Sequence, residues 1–398
     1  MKLYNSEDSR NIYSGREIDW DIEDDSPENL NLQQKKKNID DIPQHNKPAL
    51  NKKKKKKGKK KKSRLKIFFL SFLTLLMLVA GTGLFLLYGP FPYFRDLWVT
   101  TAMSTLHHQW LATMFFDKAT IAQILNSNKT VESGTVTDPN SVSVTGATPE
   151  DNATELPTSP SDGERIINGI GFTRLKTATY QGWVIRVFDP SRIYMAMSQG
   201  YGNSGEKVSH MASRLNAFVG INAGGFIDVN GRGNGGKADK ILISKGKLIA
   251  RCSTDEKHSV IGFDKQGRLL LNRYSNSQVS GLTSIFRDAV EFKPFLIVNG
   301  VPTTMVGNGG YGIQPRTAIG QTKDGVVIFV QIDGRRPPVI GASVKELQSI
   351  FEKYNAYDAA NLDGGSSSVF VFKGKVVNKP SSGDGERFVP DAFLINYK

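Results

Sequence analysis

Asn361-Leu362-Asp363-Gly364-Gly365-Ser366-Ser367-Ser368 sets one carboxylate before two glycines and three hydroxyls, and the apolar run Val369-Phe370-Val371-Phe372 follows at once. Glycine opens backbone angles closed to other residues, so a turn here can aim successive amide N–H groups at one point. The hydroxyls add donors, and Asp363 adds an acid, a base or a nucleophile. Such a set suits a substrate that carries both a phosphate and a bond to be broken. A Ser/Gly hairpin turn with a capping aspartate accounts for the stretch equally well by itself. The rest of the chain decides between them.

Three further clusters bear on the question. Ile221-Asn222-Ala223-Gly224-Gly225-Phe226 ends an apolar strand in a side-chain amide and two glycines. That puts Asn222 at a strand mouth, where it can donate to and accept from a sugar hydroxyl or a phosphate oxygen. Asp228, in the glycine-rich loop beyond, is read first as a turn residue and second as a ligand. In Pro315-Arg316-Thr317-Ala318-Ile319-Gly320 an arginine enters an apolar strand, which is costly unless its guanidinium meets an anion or carbonyls. A planar fork suits a phosphate diester, and a structural salt bridge explains the residue nearly as well. Gln331-Ile332-Asp333-Gly334-Arg335-Arg336 closes another apolar strand. Asp333 and Asp363 each follow an apolar segment and precede glycine, with one helix between them. That strand–helix–strand order brings both carboxyls to one edge of a sheet, and paired carboxylates are what glycosidic cleavage needs.

The elements that must hold these residues begin near Glu164. Short β-branched and aromatic runs separated by glycine turns follow, such as Trp183 to Phe188 and Ala217 to Ile221. Hairpins are expected between Lys240–Ile243 and Lys247–Ala250, and between Ser259–Phe263 and Arg268–Leu271. Helices are expected over Glu206–Asn216 and Ser343–Tyr354, the second with Val344, Leu347, Ile350 and Phe351 on one face. Mostly strands with few helices in residues 164–398 indicates an α+β fold, a single mixed-sheet domain.

The 398 residues exceed one compact domain, and the net charge of +14 is unevenly placed. Residues 1–66 hold 19 Lys+Arg against 11 Asp+Glu, and residues 161–398 hold 30 against 20. The first segment is too polar to bury a core and is read as a disordered cytoplasmic tail. Ile67 to Tyr88 is free of charge and long enough for a bilayer, and the lysines of Lys52–Lys66 on its N-terminal flank orient it. The N-terminus is therefore expected in the cytoplasm, the lysines on anionic lipid, and residues 89–398 outside as a single-pass membrane protein. Residues 89–125 read as a juxtamembrane helical segment, and 126–163, rich in Ser, Thr and Pro, as a linker. Basic residues beyond 160 are scattered, with no basic helix, which argues against nucleic acid. Cys252 is the single cysteine, so no intramolecular disulfide forms. With His258 six residues on, it is weighed as a nucleophile and read as a packed thiol. Only His210 and His258 remain in the C-terminal domain, which excludes the usual Cys/His zinc sites.

Taken in order, Asn222–Phe226, Pro315–Gly325, Val330–Arg336, Gly341–Phe351, Asn361–Ser368 and Arg387–Pro390 resemble the phosphodiester glycosidase family over roughly residues 164–398. The resemblance implies hydrolysis of a sugar-1-phosphodiester at the C1–O bond. Ser366 stands where family members often carry a third glycine. On this reading Asp363 is the principal catalytic carboxylate and Asp333 its acid/base partner. Arg316 holds the phosphate with Arg335 assisting, while Asn222, the Gly364 and Gly365 amides and Ser366 orient sugar or phosphate. No cofactor is required, and a calcium ion on Asp228, Asp333 and Asp363 stays open. The topology extends the expectation to a cell-envelope polymer with sugar-phosphate links, such as a teichoic acid. Two other classes compete: a non-catalytic polymer-binding or assembly protein on the same fold, and a metal-dependent phosphodiesterase cutting P–O. The lack of a histidine-rich motif disfavours the last.

Overall fold

The computed structural model describes residues 58–105, 108–131, 134–228, 234–252 and 257–398. The chain divides into two compact units, Met1–Ser71 and Phe72–Lys398. The expected disordered tail lies outside the described residues up to position 57. From Gly58 its last residues are instead the start of a helix, Gly58–Tyr88, because lysine is a good helix former and an apolar run follows directly. Within it, Arg64–Tyr88 is long and apolar enough to cross a membrane.

Most of the remaining chain is sheet. Eight strands form the largest one, in which Arg316–Thr322 lies between Val327–Ile332 and Ala356–Asn361. Two five-stranded sheets complete the β structure around the site. One centres on Ala217–Asn222 and Asp391–Asn396, the other on His258–Phe263 and Asp288–Glu291. The α+β expectation is met, with every strand pairing among the described residues antiparallel rather than mixed. The reason is local: the helix between Val327–Ile332 and Ala356–Asn361 spans one intervening strand, so the two parallel strands are neighbours-but-one. Val344–Lys353 is capped by Ser343, whose hydroxyl accepts from the Glu346 amide while Glu346 Oε2 accepts from the Ser343 amide. Its buried face includes Val344, Leu347 and Phe351, and a Cβ at Gly320 would come within 2.8 Å of the Phe351 ring. Both expected hairpins form, as Leu242–Ser244 with Lys247–Ala250 and His258–Phe263 with Leu269–Tyr274.

Residues 126–163 are not the free linker that their composition suggests. Lys129–Val131 pairs with Thr304–Val306, the Thr137 hydroxyl accepts from the Leu271 amide, and the Ser143 amide donates to Lys323 O. The polar side chains that look like solvated linker instead satisfy exposed backbone of the domain. Upstream, the expected juxtamembrane helix is broken into Pro92–Met103, Trp110–Thr113 and Lys118–Ser127. These enclose a small apolar core of their own, with Val99, Ala112 and Ile124 buried.

Candidate functional site

The register of three strands delivers the site. Arg316 pairs with Ile332 and Ala318 with Asn361, so Arg316, Asp333 and Asp363 all emerge at one end of the large sheet. Asp363 then turns across to the second sheet, its amide donating to Ala223 O. Asn222 locks that turn from behind. Its Nδ2 donates to Asp363 O at 2.7 Å, while Oδ1 accepts from Thr317 Oγ1 at 2.9 Å and the Val369 amide at 3.1 Å. Beyond Asp363 the chain makes a short 3-10 turn, Gly365–Ser367, with Gly365 at φ +60°.

In front of this turn lies a cavity of about 480 Å³. Its walls include Asp363, Gly364, Gly365 and Ser366 from the turn, Asp228 and Asp239 from the loop after Asn222, and Glu291. Arg316, Arg335 and Arg387 supply positive charge, and Phe226, Phe292 and Tyr311 supply flat apolar surface. Arg387 Nη2 meets Asp228 Oδ2 at 3.0 Å, and its guanidinium lies 4.7 Å over the Phe226 ring. Arg335 donates from Nη1 to Ser366 Oγ at 3.0 Å and from Nη2 to Gln314 Oε1 at 3.1 Å.

Burial pushes the Asp363 carboxyl up to about 7. The Ser367 hydroxyl and Arg387 oppose that rise, whereas the charges of Asp239 and Asp391 add to it. Asp239 is itself raised, by burial and by Glu291. A carboxyl that holds its proton near neutrality beside a second carboxylate is equipped for proton transfer in either direction. Burial, with Arg335 alongside, brings Arg316 down to about 9, so it stays cationic at neutral pH.

The residues expected from sequence divide into two groups. Asp363, Gly364, Gly365, Ser366, Arg316 and Arg335 share the cavity. Asp333 does not line it. Its Oδ1 accepts from Gln331 Nε2, Asn378 Nδ2 and the Lys379 amide, and its Oδ2 accepts from Gln181 Nε2. The strand end is where expected, but Arg316–Thr322 separates it from Asp363, and four donors consume the carboxylate. Nor do Asp228, Asp333 and Asp363 converge as a calcium site, since Asp333 is off the cavity and Asp228 is paired with Arg387. Asn222 is buried and bonded at both ends, so it places Asp363 instead of facing the cavity. The Gly365 amide donates to Pro315 O, which removes one of the two amides expected to face an anion. Arg316 is held by three backbone carbonyls: Nε donates to Ala342 O, and Nη2 to Tyr311 O and Gly312 O.

Asp239, Asp391 and Arg387 were not singled out by the sequence as site residues. Arg387 stood only in the closing motif Arg387–Pro390, and Asp391 is the next residue after it. Asp239 lies in Lys237-Ala238-Asp239-Lys240, where neither a strand end nor a glycine marks it.

Residues 215–396 match a family model described as phosphodiester glycosidase. A prophage-derived protein of Bacillus subtilis, YomE, is 30% identical over 199 residues, covering 48% of this chain and 30% of that protein. The mouse N-acetylglucosamine-1-phosphodiester alpha-N-acetylglucosaminidase is 23% identical over 245 residues, covering 56% of this chain and 46% of the mouse protein. The chain thus spans less than half the length of either relative. The solved catalytic domain of the zebrafish enzyme of that name superposes with a TM-score of 0.48 at 22% identity, covering 57% of this chain and 82% of the other.

Proposed function

From a chain whose residues 215–396 belong to the phosphodiester glycosidase family, we propose a membrane-tethered hydrolase that cleaves the C1–O bond of sugar-1-phosphodiesters. The observation that carries this reading is the cavity itself, where Asp363 and Asp239 face Arg316, Arg335 and Arg387 between aromatic walls. A sugar ring fits against Phe226 and Phe292, and the diester phosphate fits among the arginines. The C1–O bond breaks with its electron pair going to the phosphate oxygen, whose charge the guanidinium groups balance. A water oxygen joins C1, and its proton passes to the ionised member of the Asp363–Asp239 pair. The protonated member can supply a proton to the departing oxygen. Asp239 here takes the partner role that the sequence gave to Asp333. No cofactor enters the step.

The tether is the helix Gly58–Tyr88, with the N-terminus in the cytoplasm and the catalytic domain outside. Lysines at its cytoplasmic end rest on anionic lipid. The substrate is then an envelope polymer with sugar-phosphate links.

Full-length protein in detergent, given a defined sugar-1-phosphodiester in ¹⁸O-labelled water, should release reducing sugar with the label on C1. Asp363→Asn should lower turnover by at least about 10²-fold, the low end of what a proton-transfer group contributes. Label on phosphate would mean P–O cleavage, and binding without release would make the chain a polymer-binding protein.

A further inference from the structure

Outside the Asp363–Asp239 pair, the described residues hold one other cluster of metal-ligating side chains: Cys252, His258 and Glu291. Glu291 closes Asp288–Glu291 and pairs with Val260 of the neighbouring strand, so His258, two residues earlier, lies diagonally across from it on the same face. Cys252 follows Lys247–Ala250, the edge strand of that sheet, with two strands between it and His258–Phe263. The sulfur, an imidazole nitrogen and a carboxylate oxygen all come within 4.8 Å of one another.

Two observations mark this as more than packing. His258 is fully buried, and its Nε2 has no hydrogen-bond partner among the described residues. An imidazole nitrogen left bare in the interior costs about 1–3 kcal/mol, and a cation would satisfy it. The other nitrogen, Nδ1, is 2.8 Å from Glu291 Oε2. A carboxylate that fixes one imidazole nitrogen while the other stands free is the arrangement that orients a histidine for a metal. The donors are a thiolate and an imidazole, both of which zinc accepts at bond lengths of about 2.0–2.3 Å.

We propose that Cys252 and His258 Nε2 bind a zinc-class divalent cation, with Glu291 holding the imidazole through Nδ1 and water filling the remaining positions. The cation ties Cys252, just beyond the edge strand, to His258 and Glu291 within the sheet. Because Glu291 also lines the cavity, the bound metal fixes one wall of the candidate active site without entering the proposed reaction.

Cobalt(II) tests this directly. Cys252 is the one cysteine in the chain, so a thiolate-to-cobalt charge-transfer band in the near-ultraviolet can come from no other residue. Full-length protein in detergent, stripped with chelator and titrated with Co²⁺, should develop that band at a 1:1 ratio and lose it on adding Zn²⁺. Cys252→Ser, which keeps the fold, should abolish the band and weaken Zn²⁺ binding by at least roughly tenfold. His258→Gln should weaken binding similarly, with circular dichroism checking its fold. Absence of the band in the unaltered chain, or equal Zn²⁺ affinity in Cys252→Ser, overturns the assignment.

Discussion

Asp391 is fully buried, accepts at Oδ1 from the Gly224 amide at 2.6 Å, and leaves Oδ2 without a hydrogen-bond partner among the described residues. It stands behind the cavity, yet its charge helps raise Asp363. Asp391→Asn keeps an oxygen for Gly224 and removes that charge. If Asp363 sets the pH dependence of turnover, the unaltered protein should show an inflection in kcat/KM near pH 7. In Asp391→Asn the inflection should move to lower pH, because a negative neighbour has gone. An unmoved inflection would take Asp363 out of the rate law. The same change has a stability signature. Burial raises Asp391 from 3.8 to about 7, so the folded state holds the proton more tightly than the unfolded one. Its contribution is most favourable below about pH 4 and is lost as pH rises through about 7. Asp391→Asn should therefore raise Tm at pH 8 relative to the unaltered chain and do so far less at pH 4. Asn222 makes a contrasting case. Asn222→Ala strands the Thr317 hydroxyl, the Val369 amide and the Asp363 carbonyl, and should cost roughly 2–4 kcal/mol by denaturant titration. Surviving variant should also turn over poorly, since the turn that aims Asp363 is freed.

At the scale of elements, the helix Pro92–Met103 is joined to the loop that holds Arg316. Thr101 Oγ1 accepts from the Ile313 amide, Thr100 Oγ1 accepts from Asn308 Nδ2, and Asn128 Oδ1 accepts from the Asn308 amide. The next residues of that loop, Tyr311 and Gly312, offer the carbonyls to which Arg316 donates. Gly312 sits at φ +58°, and a Cβ there would meet Thr101 Cα at 2.4 Å. Gly312→Val should cost about 1–3 kcal/mol from the backbone alone, with more from the clash. It should also raise KM for a phosphodiester by displacing Arg316, and an unchanged KM would show that the helix does not brace the arginine. Such links explain what the sequence could and could not disclose. Local signals carried the hairpins, the capped helix Val344–Lys353, and the arrival of Asp333 and Asp363 at one sheet end, all settled by residues near each other in the chain. The direction in which Asp333 faces depends on Gln181 and Asn378, far away in sequence, and nothing near Asp333 announces them. Asp239 escaped for the same reason, since its importance comes from Asp363, more than a hundred residues on. Residues 126–163 misled because a polar composition suits a free linker and a segment bonded along a domain alike.

Over the whole molecule, charge and apolar surface point to where the chain works. Residues 161–398 carry a net charge of +10, and they present Arg335, Arg387, Lys240 and Lys293 at the walls of the cavity. A domain of that sign draws in a polyanion before any specific contact forms. Salt screens this attraction: the Debye length falls from about 30 Å at 0.01 M to about 8 Å at 0.15 M. For a polymer with repeated phosphodiesters, kcat/KM should fall several-fold across that range, while kcat at saturation stays level, because the contacts around the bound phosphate lie within the shorter length. A small substrate with a single phosphodiester should respond much less, as it offers one charge to the long-range field. Measuring both substrates at the two ionic strengths separates steering from chemistry. If the two lose kcat/KM in equal proportion, the salt effect lies in the cavity, and the basic surface has no part in choosing a polymer.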